Sequence, residues 1–211
     1  MNKIKYEEFL NIVKPKKEEL REDLSNLPII EYKKVGDFGC GWGYFTWCLK
    51  HEIPDSECIG IDIFDPNNPP NFSDIINKSI FTLDRVKNLF IEYAEESLDF
   101  RKGNIITGEN LPSDFDFIYC KRVLLNIFGG IENKEDYLKQ TIHNIGNAIK
   151  YNGWLCLIEV QEPRFNKILD EYLNQANFEF DTPRCVNRLY ETPCGNKEYP
   201  YLIYQCKKGK D

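Results

Sequence analysis

Val35-Gly36-Asp37-Phe38-Gly39-Cys40-Gly41-Trp42-Gly43-Tyr44-Phe45-Thr46 is the stretch that decides how this chain is read. Residues 33–38 have strand character and run into three alternating glycines, after which Tyr44 to Lys50 reads as helix. Glycines at that junction let the backbone turn tightly and approach a ligand closely, and the start of a helix offers unpaired N–H groups. The next strand, Cys58-Ile59-Gly60-Ile61-Asp62, places an acidic residue at its end, 19 residues past Gly43, where a carboxylate can accept hydrogen bonds from ribose hydroxyls. Strand, glycine loop, helix and acid together point to a nucleotide-type ligand.

Glycine spacing narrows the ligand. A dinucleotide fingerprint begun at Gly39 needs a small residue where Tyr44 stands, and one begun at Gly41 needs it at Thr46. A phosphate-binding P-loop needs a Gly-Lys-Ser/Thr ending, which the sequence lacks. Three alternating glycines are also compatible with a plain turn, and Asp62 alone with a cap.

Outward from this core, strand and helix alternate. Leu98 to Gly103 reads as a third strand and Phe115 to Cys120 as a fourth. A helix is expected from Glu132 to Lys150, closed by Asn152-Gly153, and then a buried strand from Trp154 to Val160. Arg164 to Ala176 suits a further helix, and Phe178 to Tyr190 with Tyr199 to Lys207 a closing hairpin around Pro193-Cys194-Gly195-Asn196. Before the first strand, Tyr6, Phe9, Leu10 and Val13 keep helical spacing until Pro15, which predicts two short helices there. Residues 65–71 read as a turn-rich loop, and a helix is expected from Ser73 to Glu96. The expectation is a three-layer α/β fold, a seven-stranded sheet mostly parallel with an antiparallel C-terminal hairpin.

The pattern Asp37-x-Gly39-Cys40-Gly41-x-Gly43 resembles the class I (Rossmann-like) S-adenosylmethionine-dependent methyltransferases, and the resemblance runs from about Val35 to the C-terminus. It implies that Asp37, Gly39, Cys40, Gly41 and Gly43 hold the methionine half of the cofactor, with Asp62 and Ile63 at the ribose. It implies also that Asn104 and Ile105 lie near the adenine, though Asn104 departs from the acidic residue often found there. Cys120 and Lys121, at the end of the fourth strand, would face the sulfonium. The resemblance implies transfer of a methyl group to an O, N, C or S atom of a small-molecule acceptor. Alternatives are a nucleic acid or protein methyltransferase and a non-catalytic protein that binds the cofactor. Candidate bases are Glu159, His143, Tyr119 and Cys120, unranked by sequence. Cys120 reads more readily as a small buried hydrophobe than as a nucleophile, Glu159 equally as a substrate contact or as a cap of the helix that follows it, and His51 and His143 as structural.

Composition sets outer bounds. The chain has 211 residues, 27 Lys+Arg against 34 Asp+Glu and a formal charge of −7, which opposes nucleic acid binding. Eight cysteines form no C-x-x-C pair, so no metal site is expected. No apolar stretch is long enough to span a bilayer, and the charged N-terminus is unlike a signal peptide; a soluble, cytoplasmic protein with reduced thiols is expected. Residues 1–34 are read as a helical lid and 35–211 as the methyltransferase domain. Asn68-Pro69-Pro70-Asn71-Phe72 is similar to the amino-methylase motif, but that motif belongs after the fourth strand and this one follows the second.

Overall fold

A computed structural model describes residues 3–27, 32–64, 82–94, 96–130, 134–192 and 195–210. The loop at 65–71, the Ser73 cap and the Asn68–Phe72 motif fall outside them. The chain divides into two compact units, Met1–Asn104 and Ile105–Asp211.

In the first unit the order is α1 (Lys3–Leu24), β1 (Lys34–Phe38), α2 (Tyr44–Glu52), β2 (Glu57–Asp62), α3 (Leu83–Ala94) and β3 (Asp99–Lys102). The strands lie side by side as β3-β2-β1, all parallel, with Phe38 opposite Ile61 and Asp62 opposite Lys102. Val35, Phe38, Ile59 and Ile61 are fully buried, as strands covered on both faces require. An aromatic cluster holds the helices: the Phe9 ring meets Trp47 edge-on at 5.3 Å and Phe90 at 5.7 Å, and Phe90 lies 5.6 Å from Phe100.

The expected break at Pro15 is not found, because α1 runs through it as one helix. Proline removes a single bond, the one its N–H would have made to the Asn11 carbonyl. Both residues lie on the exposed side, where water can satisfy that carbonyl. The opposite face buries Phe9, Val13 and Leu20, and Lys17 and Arg21 pair with Glu52 of α2 at 3.2 and 2.9 Å. Burial of three large side chains outweighs the lost bond.

The second unit runs β4 (Phe115–Lys121), α4 (Leu124–Gly130), α5 (Lys134–Ala148), β5 (Ile149–Val160), α6 (Pro163–Gln175), β6 (Phe178–Phe180), β7 (Arg184–Thr192) and β8 (Gly195–Lys208). β4 and β5 are parallel, with Lys121 opposite Ile158; β8 is antiparallel to β5, with Tyr201 opposite Val160. Phe117 to Cys120 and Leu155 to Ile158 are fully buried.

Three local expectations are corrected here. The helix placed at Glu132–Lys150 ends at Ala148, and Ile149 already pairs with Phe115. Asn152 and Gly153 do not stop a helix but shape an irregular stretch within β5. Asn152 is left-handed at φ 63, and a Cβ on Gly153 would fall 2.9 Å from the Lys150 carbonyl. Next, α4 is a separate helix that no sequence signal announced. Finally, the run Phe178–Tyr190 is two strands, interrupted by Asp181-Thr182-Pro183, where Pro183 has no N–H for a ladder. Both pieces pair with the same strand, Phe180 with Cys206 and Arg184 with Ile203, so they lie end to end along β8. Among the described residues, eight strands therefore fill the seven positions expected. The chain has a Rossmann-like α/β fold whose central sheet is mostly parallel, with antiparallel strands at its C-terminal end.

Among the described residues, the thiols of Cys40, Cys48, Cys58, Cys120, Cys156 and Cys206 are buried and that of Cys185 is exposed. Among the described residues, no helix is long and apolar enough to cross a membrane.

Candidate cofactor-binding site

Gly39, Gly41 and Gly43 all have left-handed backbones, with φ of 73°, 53° and 76°. That conformation is costly for any residue with a Cβ. At Gly43 space adds to the reason, since a Cβ there would run into the Phe100 ring, with Phe90 Cε2 at 3.0 Å. The loop is fastened to the end of β2: the N–H groups of Gly39 and Cys40 both donate to the Ile61 carbonyl, at 2.8 and 3.1 Å. The Gly41 N–H donates to Asp62 Oδ2 at 2.9 Å. The two halves of the sequence motif, glycines and acid, are thus joined by a hydrogen bond. α2 starts at Gly43 with no side-chain cap.

Asp37 is buried at 3 % exposure, and its Oδ2 accepts a 2.6 Å hydrogen bond from the Thr46 hydroxyl, which ties β1 to α2. Burial pushes the Asp62 carboxyl up, while the amides of Gly41, Phe64 and Ile63 pull it back. Burial also pushes the Cys40 thiol well up, aided by Asp62 and Asp37, which favours its protonated form. At the end of β3, the Gly103 N–H donates to the Asp62 carbonyl at 2.9 Å and brings half-buried Asn104 to the strand ends.

In the second unit, the Ile105 carbonyl accepts from Asn144 Nδ2 of α5 at 3.1 Å. Tyr119 and Cys120 are fully buried at the end of β4, and Lys121 is half-buried. Of the candidate bases, Glu159 is the most informative. Its side chain is fully buried, and its carboxylate accepts from three consecutive amides: Val123 at 2.9 Å, Leu124 at 2.7 Å and Leu125 at 3.3 Å. It caps α4, a helix that precedes it in sequence. Burial outweighs these bonds and raises its pKa to about 7. α6 has a local cap in Glu162, which accepts from the amides of Arg164 and Phe165. His143 is on the exposed face of α5, with Nε2 3.0 Å from Asn147 Nδ2, and His51 stacks on Trp47 and meets Glu96 at 2.9 Å.

A cleft of about 320 Å³ lined by Gly146, Tyr151, Lys208 and Lys210 lies beside the start of β5, at the end away from Glu159. It contains none of the residues expected to hold a ligand.

The fold is similar to that of S-adenosylmethionine-dependent methyltransferases of known structure. Among solved structures, precorrin-6Y C5,15-methyltransferase from Geobacter metallireducens is similar at 16 % identity, covering 90 % of this chain and 89 % of that one, with a TM-score of 0.61. A SAM-dependent methyltransferase from Methanosarcina mazei is similar at 16 % identity, 87 % and 95 % coverage and a TM-score of 0.58. A candidate RNA methyltransferase from Pyrococcus horikoshii follows at 11 % identity, 92 % and 82 % coverage and 0.60. At such identities the likeness is one of fold. No family model matches the sequence, and no curated protein matches it either.

Proposed function

We propose that the chain is an S-adenosylmethionine-dependent methyltransferase whose acceptor is a small molecule. The observation that carries this reading is the Gly41 N–H to Asp62 bond, which fastens a loop of three left-handed glycines to the acid expected at the ribose. The residues fit the group: three left-handed glycines bring the loop to the end of β2, α2 begins with no side-chain cap where a carboxylate is favoured, and Asp62 keeps lone pairs for hydroxyl donors. When bound, S-adenosylmethionine supplies a methyl group activated on a sulfonium.

The protein's part is then binding and alignment. Gly39 to Gly43 and Asp62 would hold the cofactor, with Ile63, Asn104, Ile105, Cys120 and Lys121 as further contacts. Holding an acceptor atom in line can account for roughly 7 to 11 kcal/mol of barrier. Glu159 gives its lone pairs to α4 amides, which favours an acceptor that needs no base, such as an amine or a stabilised anion. A small acceptor suits a chain of net charge −7 better than a polyanion does. α1 is the proposed lid, with Leu10 and Ile12 among its exposed side chains. Calorimetry with S-adenosylmethionine and S-adenosylhomocysteine tests the reading. Saturable binding of both is expected, and binding of neither sinks it.

A further inference from the structure

The turn between β4 and α4 lacks the usual local device for starting a helix. Arg122 and Val123 precede α4, and neither side chain can accept a hydrogen bond from its amides. Arg122 is also left-handed at φ 58, a conformation that persists in a residue with a Cβ only where the surroundings hold it. Here they do. The Arg122 N–H donates to the Ile158 carbonyl at 2.8 Å, and the next three N–H groups go to the Glu159 carboxylate, 34 to 36 residues away in sequence. Four consecutive amides are lashed to two consecutive residues at the end of β5.

A serine or aspartate at position 123 would cap α4 without burying a charge. Glu159 does it from a fully buried position, with Arg122 the charge acting on it and apolar Leu202 opposite on β8. The remote cap fixes the turn at residues 121–123 from β5, at the C-terminal end of a parallel strand, where open α/β sheets bind ligands. We infer that Glu159 is a positioning residue for methyl transfer, fixing residues 121–125 at the end of β4 in the geometry that ligand binding requires. The inference rests on the methyltransferase reading and goes beyond it, because it gives the turn a ligand-dependent duty.

The test is calorimetric titration of S-adenosylhomocysteine into wild type and Glu159→Gln, with the unfolding midpoint of each. The amide side chain keeps the shape of the carboxyl but turns one acceptor into a donor facing the Leu125 N–H. Affinity should fall roughly tenfold or more while the protein remains folded. A cap that only stabilises would shift the midpoint and leave affinity alone, and that result overturns the inference while the methyltransferase reading stands. If wild type itself does not bind, both fall. Should Glu159→Gln not fold, amide exchange of Val123 to Leu125 in wild type decides. Slower exchange on adding S-adenosylhomocysteine supports the inference, and unchanged exchange overturns it.

Discussion

Gly43 shows how much a single position is asked to do. It is left-handed, begins α2 and lies against Phe100 and Phe90. Gly43→Ala should destabilise by about 2 to 4 kcal/mol, from the strained backbone and the displaced rings together, as measured by urea unfolding. Asp62→Ala is different in kind. Its acceptor duty is to the Gly41 amide and the expected ribose, so it should weaken S-adenosylhomocysteine binding roughly tenfold or more while far-ultraviolet circular dichroism stays that of the wild type. Equal affinity in the variant would show that the ribose is held elsewhere. Both residues were legible in the sequence, because a left-handed turn and a strand-end acid each demand a particular residue type.

Elements were legible where local chemistry decides them and illegible where distant groups do. β1, β2, β4 and α6 follow from their own apolar patterns and caps. α4 could not be found this way, since its cap comes from Glu159, and no local rule links the two. Pro15 misled in the opposite direction: its local cost is real, but the buried face of α1 carries the helix past it. Pro15→Ala should therefore restore the missing bond and raise stability by about 1 to 3 kcal/mol, again read from urea unfolding. At the C-terminus, Pro183 divides what the alternation presented as one strand, and the register along β8 changes where it does so.

For the molecule as a whole, the charge and the titration of its interior matter most. Residues 1–34 carry eight Lys+Arg and seven Asp+Glu, so the remainder holds a net −8. No retention of single-stranded RNA is expected in filter binding at physiological salt, and tight, salt-sensitive retention would favour the nucleic acid alternative. Glu159 contributes a pH dependence whose sign follows from its raised pKa. The folded chain keeps the proton up to about 7, whereas the unfolded chain gives it up near 4.5. Its stabilising contribution is thus complete below 4.5 and declines as pH rises to about 7, a loss of about 3 kcal/mol. Unfolding free energies measured across that range should fall for wild type and be flatter for Glu159→Gln. The acceptor is the part no scale of sequence reading reaches, because its pocket is built from connecting segments that vary independently of the sheet.

The cysteines give the protein a set of internal clocks. Burial holds the Cys48 thiol at a pKa of about 12 and pushes those of Cys58 and Cys206 higher still, so in the native state iodoacetamide should find Cys185 first among the described thiols. Cys40, Cys48 and Cys58 belong to one compact unit, and Cys120, Cys156 and Cys206 to the other. Each buried sulfur becomes reactive only when its surroundings open. Timed alkylation, followed by mass spectrometry of the peptides, would show whether the two halves breathe together or at separate rates, with no label introduced and no residue changed.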